Sequence, residues 1–335
     1  MQVSVVMPLY NKAEYVRETV ESILNQTYRD FEFVIIDDYS TDGSLEIIKE
    51  FKDSRIKLIQ LEKNMGVSYA ANIGIKAASG KYIIRTDSDD LSYPNRIERL
   101  VNYSDTHNID VVGSNFEIHG SGEIPAGAYR FMNYSNSVIK NEDIIDDFTI
   151  VPTVHGATIC VKKSTFEEGF YYDNALETGE DYELLARMII NNKKVTKIPE
   201  ILYKYRFVNG SLGKGIKSTL VNIQVKLNFI YKYFKLENRG VKKFYIWGTK
   251  EFAGYLEEEL RKEKYDAEVL GFTDLDNNTW GKIKNELPII SPYDMVTSLD
   301  DNTIVLTMWN IEREEIVRFL NKNGLIKNYN YFILS

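Results

Sequence analysis

The chain has 335 residues, 44% of them hydrophobic and 27% charged, the make-up of an ordinary soluble globular protein, and its length suits about two domains. A net charge of -8 excludes the global basic field that recruits nucleic acid, so an anionic substrate has to be held by local groups or a metal ion. The single cysteine, Cys160, excludes a disulfide framework and fits a reducing compartment.

The first residues, MQVSVVMPLY, carry no charged leader ahead of a long apolar stretch, so no secretory signal is expected. They hold instead a continuous β-branched run ended by a proline, the pattern of a buried parallel strand. From Ala13 to Gln26 the apolar positions Val16, Val20, Ile23 and Leu24 recur at helical spacing. FEFVIIDDYS is a second apolar run that ends in acids, and TDGSLEIIKEFK predicts a helix starting at Thr41 or Asp42. RIKLIQLEKN reads as a third strand, GVSYAANIGIKAAS as a third helix and GKYIIRTD as a fourth strand. This unbroken alternation implies an α/β fold, a mostly parallel sheet covered by helices, whose ligands lie beyond the carboxyl ends of its strands.

The stretch from Leu91 to Gly213 is less regular; it contains HGATICVKKSTF, a strand leading into a turn or helix, and ETGEDYELLARMIINN, a helix with its acids at the N-terminal end. Residues 214–240 carry six Lys and Arg against one acid, Glu237, with a stripe of Leu220, Ile223, Leu227, Ile230 and Phe234. This is read as a basic linking helix, with a peripheral contact at the inner face of a membrane as the rarer use of such a pattern. No run of about 18 apolar residues predicts a membrane span, so a cytoplasmic location is expected. A fresh strand–helix alternation from Val241 predicts a second, smaller α/β domain over 241–335, after a first domain over 1–213.

The chemistry concentrates in KYIIRTDSDDLSYP, where Asp87, Asp89 and Asp90 end a buried strand. Carboxylates that close repel one another unless a cation or donors hold them ionised. Hard oxygen ligands of this kind suit Mg2+ or Mn2+ bridging to substrate phosphates.

With that cluster in view, the first 210 residues or so resemble the family 2 inverting glycosyltransferases, which have the nucleotide-sugar-binding GT-A fold. The resemblance rests on three ordered motifs, VSVVMPLYNKAEYVRETVESILNQTYRDFEFVIIDDYSTDGS, NMGVSYAANIGIKAASGKYIIRTDSDDLSYPNRIERL and TGEDYELLARM. It implies that Pro8 and Tyr10 belong to the turn that packs on the nucleotide base, that Asp38 accepts the imide N–H of uracil while Asp37 ties down its loop, and that Asn64, Gly66 and Asn72 lie near the ribose and phosphates. It further implies that Asp89 is the metal ligand on the diphosphate, that Asp87 is the acid near ribose or metal with Asp90 behind it, and that Asp181 is the base with Glu180 beside it. The implied reaction is a metal-assisted single displacement that moves a sugar from a nucleotide donor, most simply UDP-linked, to a hydroxyl of a carbohydrate or lipid-linked glycan acceptor at the bacterial surface. Three positions depart from the family pattern: Ala71 stands where an arginine is frequent, the KYRFVNGS stretch offers Arg206 and Ser211 in place of a frequent histidine, and His155 is placed either in a strand core or on the acceptor side.

The second domain, with FYIWGTKEFAGYL and GFTDLD, is similar to small Rossmann-like domains. Lys250 stands where a glycine would let backbone approach a pyrophosphate, so packing, homodimer formation or acceptor recognition is expected of it before NAD binding. An NAD-dependent oxidoreductase or epimerase, and a non-catalytic nucleotide-sugar-binding subunit, are the competing readings.

Overall fold

The computed structural model describes residues 2–120, 124–207, 216–308 and 313–334. The chain divides into two compact units, one of residues 1–145 and 152–214 and one of residues 146–151 and 215–335.

In the first unit the elements run β1 (Val3–Leu9), α1 (Val16–Leu24), β2 (Phe31–Asp37), α2 (Ser44–Glu50), β3 (Ile56–Gln60), α3 (Val67–Ala77), β4 (Tyr82–Arg85), β5 (Leu91–Ser92), α4 (Arg96–His107), β6 (Val111–His119), α5 (Ala126–Ser137), α6 (Asn141–Asp146), β7 (Cys160–Lys162), α7 (Lys163–Glu167), α8 (Glu180–Ile190) and β8 (Val195–Arg206). One eight-stranded sheet joins them in the order β3-β2-β1-β4-β7-β6-β8-β5. The first four strands are mutually parallel, β7 is antiparallel to both neighbours, β6 and β8 are parallel to each other, and β5 closes the edge antiparallel.

Every residue of β1, β2 and β4 is buried, which is why these strands read as continuous apolar runs rather than alternating ones. Val16, Val20 and Ile23 of α1 turn their helical stripe onto one face, where they join Val5, Met7, Phe33 and Ile35 in a single core. On the other face α3 lies close enough that a Cβ on Gly74 would collide with Ile36 and Val6. That approach sets the helix's N-terminus at the sheet's carboxyl rim. α2 begins at Ser44 rather than at Thr41 or Asp42, because Asp42 instead accepts from the backbone N–H of Ser44 (3.0 Å) and of Ala13 (2.9 Å), joining the loops after β1 and β2.

The second unit contains α9 (Ile216–Tyr233), β9 (Lys243–Trp247), α10 (Glu251–Leu260), β10 (Glu268–Thr273), β11 (Ile283–Lys284), β12 (Leu287–Ile290), α11 (Pro292–Ser298), β13 (Thr303–Met308), α12 (Arg313–Lys322) and β14 (Tyr331–Leu334). Its sheet order is β11-β12-β10-β9-β13-β14, parallel apart from the β11–β12 hairpin. Ile223, Leu227 and Ile230 of α9 are buried with Phe244, Ile246 and Leu256 in its core, whereas Leu220 of the same stripe is 40% exposed. Among the described residues no helix is long and apolar enough to cross a membrane.

Candidate active site

The carboxyl rim of β1, β2 and β4 carries the loops that sequence reading marks. Pro8 is buried inside β1, and Tyr10, just past its end, is 46% exposed. Asn11 and Tyr39 both adopt left-handed backbone, at φ +50° and +67°, which costs non-glycine residues free energy and persists where neighbours impose it. The neighbours here are reciprocal: Asn11 N–H donates to Ser40 Oγ (3.1 Å), and Thr41 N–H donates to Asn11 Oδ1 (2.8 Å). Tyr39 is thereby held 49% exposed directly after Asp38.

Asp38 is buried and accepts from two backbone amides, Met65 N–H on Oδ1 (2.7 Å) and Gly66 N–H on Oδ2 (2.8 Å). Burial, opposed in part by these amides, pushes its carboxyl above the usual range. Gly66 caps α3 at φ +89°, a conformation that favours glycine. Asn64 reaches the Asp38 carbonyl at 3.4 Å. Asp37 accepts from Ser40 N–H (3.3 Å) with one oxygen while the other, also buried, has no partner. Asn72 lies away from these groups in its contacts: its amide donates to Tyr172 O and Asn174 Oδ1, both at 2.9 Å, and accepts from Tyr172 N–H at 3.0 Å. It therefore ties α3 to the loop that leads into α8. Ala71 is fully buried, so the frequent arginine of the family has no counterpart reaching outward from this position.

The acids after β4 meet two cations that sequence reading does not single out. Lys12 Nζ lies 2.6 Å from Asp89 Oδ2, and Arg85 Nη1 lies 2.6 Å from Asp87 Oδ1. Burial, the largest single influence, would raise the Asp87 carboxyl, but Arg85, His155 and Lys12 together hold the group below its ordinary value. Asp90 is buried; Oδ1 accepts Arg206 N–H (2.7 Å), Oδ2 has no partner, and burial followed by repulsion from Asp87 and Asp89 pushes its carboxyl well up. Arg206 also donates from Nε to Asp89 O and from Nη2 to Glu18, both at 2.7 Å, so it clasps the acidic loop to the end of β8. Ser211 lies outside the described residues. Of the two cations, Lys12 and Arg85, only Arg85 had a signal, and it did not say which acid: an arginine that ends the apolar run YII needs an anion close by.

The second pair of acids opens α8. Asp181 Oδ2 accepts Gly156 N–H at 3.1 Å, and Oδ1 accepts Tyr182 N–H at 2.8 Å. A Cβ on Gly156 would collide with the Asp181 side chain. Glu180 is mostly buried and stands 4.0 Å from Arg85 Nη2; burial first, then repulsion from Asp181, pushes its carboxyl up to about 7 against the opposing pull of Arg85. His155, just ahead of Gly156, is in no strand: it caps a short turn by accepting Ala157 N–H on Nδ1 (3.3 Å), with its ring 5.0 Å from that of Tyr205 and 5.3 Å from that of Phe116. Asp87, Glu180 and Asp181 are thus brought together around Arg85 and Gly156, with Asp89 beside Lys12 on the β1 side.

A parallel-dominated sheet with two exposed tyrosines at one loop set and two acidic clusters at its carboxyl rim has the make-up of a sugar-transferring enzyme of the nucleotide-binding α/β type. The profile of glycosyl transferase family 2 matches residues 4–170, and a glycosyltransferase of Methanocaldococcus jannaschii is 36% identical over 213 residues, 62% of this chain and 71% of the relative. The chain belongs to glycosyl transferase family 2. Glycosyltransferase GlyG of Streptococcus pneumoniae is 31% identical over 63% of this chain and 72% of its own length, and the poly(ribitol-phosphate) beta-N-acetylglucosaminyltransferase TarP of Staphylococcus aureus is 30% identical over 57% and 58%. The fold is that of S. aureus TarS residues 1–349 in complex with UDP-GlcNAc, at TM-score 0.57 and 22% identity over 80% of this chain and 74% of that one. These sequence relatives match about three fifths of the chain.

Proposed function

We propose that the protein is an inverting glycosyltransferase that moves a sugar from a UDP-linked donor to a hydroxyl of a glycan or lipid-linked acceptor. The observation that carries this reading is the convergence of acids from two distant parts of the chain, Asp87 after β4 and Glu180 at the start of α8, on the one guanidinium of Arg85 at 2.6 and 4.0 Å. TarS binds UDP-GlcNAc, and a mannosyltransferase of Pyrobaculum calidifontis, similar in fold at TM-score 0.52, binds GDP-Man and Mn2+.

The exposed rings of Tyr10 and Tyr39 offer two faces for a nucleobase, and Asp38, directly before Tyr39, is tied to the end of β1 by its N–H on Leu9 O at 2.8 Å. Each Asp38 oxygen already accepts one backbone amide and keeps a second lone pair, enough to accept a uracil imide N–H. The donor set fits Mg2+ or Mn2+. Among the described residues no three His, Cys, Asp or Glu side chains form a ready ligand cluster, which suits a hard cation held by one or two carboxylates, water and substrate phosphate. Asp89, with Asp87, would hold it, once Lys12, itself one-third exposed, turns away. A bound cation supplies neutralisation of charge on the departing diphosphate.

Asp181 is the base. Two backbone amides orient its carboxylate, the N-terminus of α8 favours its charge, and its remaining lone pairs can take the acceptor hydroxyl's proton. Glu180, with its carboxyl raised to about 7, is partly protonated at neutral pH and can donate a hydrogen bond to the acceptor. A single attack opposite the leaving diphosphate inverts the anomeric centre.

The test is UDP release from a panel of UDP-sugars with manganese, repeated with chelator and with Asp89→Asn and Asp181→Asn proteins. Turnover of one donor that chelator and both substitutions remove by at least ~100-fold supports the reading. Absence of both turnover and metal-dependent UDP binding overturns it.

A further inference from the structure

We propose that Arg85 is a positioning residue that serves as the shared counter-ion of the donor-side and acceptor-side acids; the proposal rests on the reading above. Arg85 ends β4, is 6% exposed, and carries its guanidinium between Asp87 Oδ1 at 2.6 Å and Glu180 Oε1 at 4.0 Å. It is fixed from behind: its carbonyl accepts from Arg96 Nη2 (2.7 Å), and its own Nη1 also donates to Thr86 O (3.0 Å). The Tyr172 ring lies 6.0 Å away, on a loop that Asn72 pins through two backbone hydrogen bonds. That chain gives Asn72 a route to the site that needs no contact with donor.

The charge balance explains why one cation has to serve both sides. Asp87, Asp89, Asp90, Glu180 and Asp181 crowd the site, Lys12 is paired with Asp89, and the Arg206 guanidinium is engaged with Glu18 and the Asp89 carbonyl while the Arg206 backbone N–H donates to the Asp90 carboxylate. Among the described residues, Arg85 is the cation paired with acids of both clusters. A planar fork with donors on separate nitrogens matches two carboxylates held in fixed, divergent directions, which a compact ammonium on a shorter stem matches less well. Removing it leaves the mostly buried Glu180 and the one-third-exposed Asp87 uncompensated, each with a separable consequence. Asp87 without its partner repels the donor's diphosphate. Glu180 without its partner burdens the pair that receives the acceptor's proton.

The experiment measures donor dissociation by calorimetry with UDP and manganese, and steady-state kcat, for Arg85→Met, Arg85→Lys, Arg85→Met/Asp87→Asn and Arg85→Met/Glu180→Gln, with Asp87→Asn, Glu180→Gln and Asp181→Asn as single references. Arg85→Met is expected to weaken UDP binding ~10-fold and to lower kcat at least ~10-fold. The binding loss should shrink at least ~5-fold on the Asp87→Asn background, and the kcat loss should shrink likewise on the Glu180→Gln background, since each neutralisation removes the charge that Arg85 compensated. Arg85→Lys, the safer variant for folding, is expected to keep UDP affinity within ~3-fold and to lose kcat. A merely structural arginine would give losses that persist undiminished in both double variants, and that result overturns the proposal. Absence of turnover and of metal-dependent UDP binding in the native protein would instead overturn the transferase reading; an Asp181→Asn protein as active as the native one would remove only the base assignment, and the UDP arm of the cycle would then still decide whether Arg85 and Asp87 act together.

Discussion

Gly156 is small because Asp181 stands where its side chain would be. The same contact brings the glycine's N–H to the carboxylate, so a methyl group there displaces the proposed base while leaving the donor loops untouched. Gly156→Ala is expected to lower kcat by at least ~10-fold with UDP affinity changed less than ~2-fold, since small misplacements of a reacting group are costly; steady-state rates and calorimetry would check it. Glu180 allows a second prediction. Its carboxyl titrates near 7 in the folded chain, above its unfolded value of 4.5, so the folded state binds more protons between those limits and stability falls as pH rises through them. Glu180→Gln should therefore raise the melting temperature at pH 8, by the equivalent of roughly 1–3 kcal/mol, and leave it almost unchanged at pH 4. A gain that is equal at both pH values would refute this. Asp38 and Asp89 stand out in the sequence because acids that end apolar runs mark a sheet's rim, whereas Asp181, at the start of a helix, is marked only by the family resemblance. Lys12 and Arg85 were not legible, because what matters about them is which acid each faces, and that is set by strand neighbours 77 residues apart in the case of Lys12 and Asp89.

The helix α9 reads from sequence as a basic stripe, yet one of its lysines points inward. Lys226 is 1% exposed, with Nζ 3.4 Å from Ile150 O, and burial brings its ammonium down to about 7. Because that value lies below the unfolded one of 10.5, the unfolded chain binds more protons between pH 7 and 10.5, and stability rises across that window. Lys226→Met is expected to stabilise the second unit by roughly 1–3 kcal/mol at pH 6 and by less at pH 9, read from melting curves at the two pH values. Helical period found the buried positions Ile223, Leu227 and Ile230 but not Lys226, since a long side chain on the flank of a stripe looks like solvated charge. The region after Leu91 was hard to read for a different reason. β6 and β8 are only partly buried and pair through two register shifts, between Ser114 and Asn115 and between Asn115 and Phe116, while β5 has two residues. Neither strict alternation nor a full apolar run survives such irregularity.

The parallel strands of both sheets follow from strand–helix alternation, but the excursion of residues 146–151 into the second unit has no pattern of its own at six residues long. Its role is visible only in its contacts. Phe148 is buried and stacks on Phe229 of α9 with centroids 4.3 Å apart; Thr149 donates to Ile333 O on β14 at 2.8 Å; Asp147 pairs with Lys327 at 2.7 Å. Ile150 is fully buried beside Lys226. A chain cut to residues 216–335 lacks all four groups, so it should be less stable than the same unit in the full protein. Phe148→Ala tests this without a cut: losing a buried ring costs about 3–5 kcal/mol, and the loss belongs to the unit that holds Phe229 and β14. Hydrogen exchange of the full-length protein is expected to show faster exchange in α9, β13 and β14 with the amides of β1, β2 and β4 unaltered, and UDP binding with manganese should be retained. Faster exchange confined to the strands of the first sheet would mean that Phe148 supports that sheet instead. Retention of UDP binding beside a loosened second unit would place donor recognition in the first unit alone, where Tyr10, Asp38 and Asp89 lie.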